Sequence, residues 1–400
     1  MARMYWLVFA ILLLLELGAA LPFHRRHTYK VHFFYLSKEL RIKDWLEMFT
    51  LCLAPLVTHI AFGLADHVVL GPTGPKWTDK IAHFNPVSIL WRYYAIAYRR
   101  VRAIHWDEAD MAACNAVFWH GTGWDGSEAL MVQSRNLITK LPASSHVAIV
   151  SGSSLATIAI TLQGCQAMVI VLEAFVPLTV NLGRDLGGLP GIFQPLALMG
   201  LLRLQAALWL SNDYGYARID HWQTPASAPA DKLANDELLR SIAARLVCSR
   251  SWRAVSFRIW WALSTLALMG ISIAACVNST FSIFPQAGYS PSIIHKPASM
   301  ITVSLMYLLL TAGCLVIHCR YLFKGCSGST VIPCIQSRWY KGYTFLLFAA
   351  GAVSIIFSAL GTQIQVNGTY SEFPNFKCNA NGDDCHPFSA HIVLNISRLA

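Results

Sequence analysis

Four carboxylates have the residue type and surroundings to do chemistry. Asp66 and Glu173 sit in long apolar runs; Asp125 and Glu128 sit in a polar stretch rich in tryptophan and glycine. A carboxyl group packed in hydrocarbon loses the water that stabilises its charge, so it keeps its proton to unusually high pH and can act as an acid. An unpaired charge at membrane depth costs about 2.5–3.5 kcal/mol on insertion scales, so each such group is expected to face protein or water. Glu16, His59 and Arg203 lie in apolar runs as well. The spacing of seven puts Cys52, His59 and Asp66 on one helical face, with His59 and Asp66 roughly 10 Å apart along the axis. That is too far for a direct hydrogen bond, although both could line one cavity. Gln166 and Glu173 share a face in the same way. The structural alternative for Glu173 is an ion pair with Arg203 between neighbouring helices.

The second cluster lies in the stretch His105 to Lys140. Asp107-Glu-Ala-Asp110 spells a helicase box, but the chain has no phosphate-binding Gly-x4-Gly-Lys-Ser/Thr loop to go with it. Gly121-Thr-Gly-Trp-Asp-Gly126 matches a dinucleotide fingerprint without the preceding strand that such a fold needs. Asp383-Asp384 lacks the second acid of a magnesium–diphosphate site. Asp125-Gly-Ser-Glu128 reads as a capping box for a helix from Gly126 to Lys140. The functional reading is a polar, aromatic mouth made by Trp119, His120, Trp124, Asp125 and Glu128; a cap and a proton donor need the same exposed carboxylate. Cys314, His318, Cys319, Cys326 and Cys334 are too irregularly spaced for a metal site and suit free or palmitoylated thiols. No metal or cofactor is expected.

The elements that must hold these groups are membrane helices. The 400 residues are 55% hydrophobic and only 13% charged, with a mean hydropathy of +0.46, whereas soluble domains carry about 25% charged residues. The composition predicts an all-α, polytopic transmembrane bundle of about seven spans, near residues 4–22, 46–70, 155–180, 189–210, 256–276, 299–319 and 344–364. Residues 84–105 read differently: Asn85-Pro86 starts a helix, and Leu90, Tyr94, Ala97, Val101 and Ile104 form one stripe. Arg92 and Arg99 point the other way, as in a helix lying on the membrane or against the bundle.

One integral membrane domain follows: residues 1–72 with two apolar segments, 73–145 as an amphipathic cytosolic segment, 146–364 as a five-helix core, and 365–400 as a lumenal tail. The net charge of +10 sits beside apolar runs and suits lipid headgroups, not nucleic acid. Basic loops at 320–343 and before residue 256 read as cytosolic, which makes the basic 24–43 segment lumenal against the rule. Sequons at Asn278, Asn367 and Asn395, with a Cys378–Cys385 disulfide, fit a lumenal end in the endoplasmic reticulum or secretory-pathway membrane. The Gly18-Ala-Ala20 end of the first run also resembles a signal-peptidase site.

From Asn85-Pro-Val-Ser-Ile-Leu-Trp-Arg-Tyr to Trp124-Asp-Gly-Ser-Glu128, and in overall layout, the chain resembles fungal multi-pass terpene cyclases of meroterpenoid pathways, of the ascochlorin and ascofuranone type. The resemblance implies a secondary-metabolite enzyme that protonates an epoxide on a prenylated, lipid-like substrate and cyclises it without metal or redox cofactor. Glu173, Asp66, Asp125 and Glu128 are then the candidate acids. Two other classes fit the composition. One is a small-solute transporter or channel using Arg203, Glu173 and His59; the other is a non-catalytic membrane protein whose 73–145 segment binds a partner.

Overall fold

A computed structural model describes residues 28–33, 40–121, 123–173, 189–217, 232–281, 293–324, 328–364, 370–371 and 390–395. The first apolar run with Glu16, and Cys326, Asn367, Cys378 and Cys385, lie outside these residues, as do the side chains of Glu173, Asn278 and Asn395. The fold is mostly helical. Besides the single turn Trp77–Ile81, its described α-helices are α1 (Ile42–Gly63), α2 (Pro86–Arg102), α3 (Glu108–Asn115), α4 (Glu128–Ser134), α5 (Gly152–Glu173), α6 (Gln194–Gly200), α7 (Lys232–Arg245), α8 (Trp252–Phe281), α9 (Ala298–Phe323) and α10 (Arg338–Gly361). Five of them, α1, α5, α8, α9 and α10, are long and apolar enough to cross a membrane.

The 189–210 run, expected as a straight span, is broken. It consists of a 3-10 turn at Leu189–Gly191, the short α6, and 3-10 turns at Leu201–Gln205 and Ala207–Trp209. Pro190 and Pro195 have no N–H to donate, which interrupts the helical ladder. The carbonyl of Gly191 is taken instead by the Tyr307 hydroxyl at 2.7 Å. The broken segment lies close on α5 because Gly164 lets it: a Cβ there would stand 2.6 Å from Leu201 Cδ2 and 2.9 Å from Ala197 O.

Helix α2 is the element on which the others converge. Asn85 caps it, accepting from Val87 N at 3.0 Å, and also donates to Thr344 Oγ1 at 2.8 Å. The ends of four helices meet it, and a fifth is joined to it through Arg203. Ser88 bonds Tyr340 near the start of α10, Trp91 packs on His318 and Tyr321 near the end of α9, and Tyr94 packs on Phe257 and Trp261 near the start of α8. Gly63 O at the end of α1 accepts from Arg92, and Tyr93 reaches Arg203, which in turn bonds Thr157 near the start of α5. These ends therefore share one face of the bundle. At the opposite end, β1 (Thr28–Phe33) pairs in parallel with Ile293–Pro297, just before α9, and antiparallel with Ala390–Asn395. The strand around Lys30 thus lies beside Ala390–Asn395.

The expectation of an outward arginine face on residues 84–105 is corrected. Arg92, Arg99 and Arg102 are only 4%, 1% and 5% exposed. A polar layer, formed by the segments after α1, around α3 and α4, and before α10, covers that face and supplies acceptors. Arg99 donates to Gly328 O from Nε (3.2 Å) and Nη2 (2.8 Å) and also to Gly126 O; Arg102 donates to Val247 O at 2.8 Å and pairs with Glu128. In that layer β2 (His67–Val69), β3 (Val117–Trp119) and β4 (Trp124–Asp125) form a small sheet. Trp119 and Trp124 face each other across β3 and β4 with ring centroids 5.0 Å apart.

The helix expected over Gly126–Lys140 is also corrected. Its N-cap is Ser127, whose hydroxyl accepts from Leu130 N, and α4 stops at Ser134 before a 3-10 turn and a short strand at Ile138–Lys140. Asp125 Oδ1 instead accepts from Ser127 N at 2.7 Å, an Asx-type turn. Glu128 is drawn to Arg102 and leaves no capping box.

Arg99→Leu strands the half-buried carbonyl of Gly328, a loss of about 1–3 kcal/mol, and removes one donor from Gly126 O, which keeps Thr330 N at 3.0 Å. Its thermal unfolding midpoint in detergent should fall clearly. Arg99→Lys should not restore it, because a single ammonium lacks the planar fork that spans Gly126 O and Gly328 O.

Candidate functional site

The carboxylates singled out by the sequence are dispersed. Helix α1 ends at Gly63, so Asp66 is an exposed loop residue and not a group at membrane depth; the shared helical face holds for Cys52 and His59 only. Asp125 holds the turn before α4 and lies 3.9 Å from His120 Nε2. Glu128 is paired with Arg102. The backbone of Glu173 forms the far end of α5, sixteen residues beyond Thr157, or about 24 Å along the axis. Arg203 sits at Thr157, so the proposed Glu173–Arg203 ion pair is corrected: the two belong to opposite ends of α5.

The helicase-like Asp107 and Asp110 are structural. Asp107 caps α3, and both carboxylates bind Arg135, while Arg245 at the end of α7 donates to both oxygens of Asp110 at 3.0 and 2.9 Å. Hydrogen bonds and charge from Arg135 outweigh partial burial at Asp107 and hold its carboxyl below the usual range, whereas burial raises that of Asp110. Trp119 and Trp124 are buried, so the expected aromatic mouth is closed by its own packing. Cys314 and His318 adjoin on α9 with Sγ and Nδ1 3.3 Å apart. Among the described residues, no group of three or more metal-ligating side chains comes together.

What the fold does bring together is a pair of arginines. A cavity of about 240 Å³ is lined by Ala61 and Phe62 of α1, Arg92 of α2, Gly152, Ser153 and Ala156 of α5, Arg203, and Leu210, Ser211 and Asn212. Both arginines cap the end of α1. Arg92 Nη1 donates to Gly63 O at 2.8 Å, and Arg203 Nη1 donates to Phe62 O at 2.6 Å and to Tyr93 Oη at 3.2 Å. Arg92 Nη2 also donates to Asn115 and to Asn212 Oδ1, and Arg203 Nε donates to Thr157 Oγ1 at 3.0 Å. Arg203 is 2% exposed, yet its Nη2 makes no hydrogen bond among the described residues.

No carboxylate pairs with either guanidinium among the described residues; the ion pairs use other arginines, lysines and a histidine. Burial, together with nearby Arg203, lowers the pKa of Arg92 from its very high ordinary value, but arginine stays charged in proteins. Two guanidiniums bring two positive charges. The C-terminus of α1 contributes about −0.5 and the N-terminus of α5 about +0.5, so the cavity carries roughly +2. Ser151 caps α5 through Ser154 N at 3.2 Å, which leaves the amides of Gly152 and Ser153 at the cavity. Such a site matches an oxyanion. Of its residues, Arg203 was legible in the sequence as a charge inside an apolar run. Arg92 was legible only as an outward face, and Ser153, Ser211 and Asn212 carried no signal.

Beside it, Arg92 shares a second, water-sized cavity of about 20 Å³ with His83. The outer edge of His83 reaches the surface, but its Nε2 and Arg92 Nε are enclosed without partners. His59, buried on α1, has both ring nitrogens unpartnered and meets the Tyr93 ring edge-on at 6.1 Å.

Neither a family model, nor a curated protein, nor a solved structure matches the chain. The functional reading therefore rests on the site.

Burial, with His67 and Arg92 nearby, pushes the His83 pKa down to about 3. The unfolded chain takes up that proton near pH 6.5 and the folded one does not, so this group lowers stability as pH falls from about 6.5 towards 3. Unfolding midpoints measured across that range should drop less steeply for His83→Phe than for the natural chain.

Proposed function

We propose that this chain is an integral membrane protein that binds an anionic small molecule in the Arg92–Arg203 cavity, a function of the solute-transport class. The observation that carries this reading is a pair of buried guanidiniums at one cavity with no carboxylate partner among the described residues. One partner of a buried ion pair is usually costly to remove, so a site built with two cations and no anion is best accounted for by an anion that comes and goes. A broken span supports the same class. Arg203 rides on 3-10 turns of the 189–210 segment, and interrupted helices whose termini meet the substrate are a recurring feature of transporters.

The prenyl cyclase needs a protonated, unpaired acid facing an apolar cavity. Asp66, Asp125 and Glu128 line neither of the two cavities described above, so that reading rests on Glu173 alone. It makes a separate prediction: membranes containing the protein convert an epoxyfarnesyl phenol into a cyclised isomer of unchanged mass, and Glu173→Gln stops the conversion.

The anion reading is tested with Asn212→Asp. The new carboxylate keeps the acceptor for Arg92 Nη2 and supplies the missing counter-charge. One charge about 5 Å from the ligand, at an effective dielectric of about 20, is worth more than ten-fold in affinity. Calorimetric titration of the protein in nanodiscs with inorganic phosphate and with sulfate should show binding that this variant weakens at least ten-fold. Absence of binding by the natural chain, or equal binding by the variant, sinks the reading. Uptake of the labelled anion into reconstituted vesicles then separates transport from binding alone.

A further inference from the structure

Building on that anion reading, we infer that the ligand is an anionic amphiphile: an oxyanion headgroup seated between Arg92 and Arg203, with a single hydrocarbon chain leaving the cavity along the lipid-facing surface of α1 and α5.

The geometry of the mouth carries this. The interior of the cavity is polar and cationic, with Arg92, Arg203, Ser153 and Ser211. Its rim changes character from one side to the other. Asn212, exposed, stands on the side of the polar layer; Ala61 and Phe62, also exposed, stand on the side of the spanning helices. Just ahead of Ser151 and Gly152 come Ile149 and Val150, which are 88% and 97% exposed. Two such side chains in succession are left unpacked among the described residues, although the same loop leads directly into the site. Below them the outward surfaces of the two helices continue apolar, through Val57 on α1 and Leu155, Ile158 and Leu162 on α5. The helices are joined there by Thr58 Oγ1 donating to Gln163 Oε1 at 2.7 Å.

Depth agrees with this placement. The cavity lies where α1 ends and α5 begins, at the boundary between the spanning helices and the polar layer. A headgroup sits at that level in a bilayer, and its chain continues into the hydrocarbon. A helix N-terminus alone would not distinguish this site from any other. The independent observation is the pair Arg92 and Arg203, 4% and 2% exposed, which line the cavity from two different elements with no carboxylate partner among the described residues. A soluble oxyanion and a lipid headgroup share that chemistry. The apolar side of the rim is what favours the lipid.

The experiment titrates the full chain in phosphatidylcholine nanodiscs with inorganic phosphate and with butyl, octyl and dodecyl phosphate. Asn212→Asp serves as the control for partitioning into the bilayer. A bound chain should raise site affinity about four-fold per methylene over the first carbons, from the ~0.8 kcal/mol that each buried methylene contributes. The double variant Ile149→Ser, Val150→Ser should flatten that rise while leaving the affinity for inorganic phosphate unchanged; both positions are exposed, so the fold should tolerate the change. Inorganic phosphate binding without any chain-length gain over the control overturns the amphiphile and leaves the anion site standing. A gain that survives the double variant overturns the chain path. No binding of any of the four probes removes both.

Discussion

Everything at one end of this protein depends on where four buried guanidiniums find acceptors. Arg92, Arg99 and Arg102 on one helix and Arg203 on the broken segment are withdrawn from water, and among the described residues only Arg102 has a carboxylate. The others bond mainly to backbone carbonyls and neutral side chains: Gly63, Phe62, Gly126, Gly328 and Asn115. Most of these carbonyls are ones that a helix end or a tight loop leaves open; Gly126 O also accepts from Thr330 N. The arginines thus stitch the polar layer to the ends of the spanning helices. A guanidinium suits this role because its planar fork serves two or three acceptors at once.

The same arrangement has a consequence for function. Carbonyls satisfy hydrogen bonds but cancel little charge, so the layer keeps an excess of positive potential. At Arg99 that excess is enclosed by packing. At Arg92 and Arg203 it meets a cavity with two serines, an asparagine and the start of α5. Of the acids that sequence reasoning favoured, Glu128 balances Arg102 and Asp125 holds the turn before α4, while the helicase-like Asp107 and Asp110 fasten α7 through Arg245. Among the described residues, the uncompensated charge at that cavity is therefore positive.

Helix α2 joins the two halves of this picture. Its tyrosines and tryptophan pack on the bundle, and its arginines reach into the layer above. It is polar enough to fall outside the spanning class yet is buried on nearly every side. The bulk of the polar layer accounts for this: a helix with two different faces can be enclosed when each face has its own matching partner.

The sequence by itself determined the membrane helices. Long apolar runs leave the backbone no alternative to internal hydrogen bonding, so residues 42–63, 152–172, 252–274, 298–323 and 338–361 form helices wherever they sit. It also determined the start of α2, because Asn85-Pro86 is a local signal. It could not determine the break at 189–210, where prolines permitted an interruption but Tyr307 and Gly164 on other helices shaped it. Nor could it decide which face of α2 meets solvent, since periodicity separates two faces without saying what covers either. Asp66 left the membrane because a helix end fell three residues earlier. Arg203 and Arg92, 111 residues apart in the chain, became one site only when α1 ended between them. That juxtaposition is a tertiary fact, fixed by where carbonyls were left open and which guanidiniums were long enough to reach them.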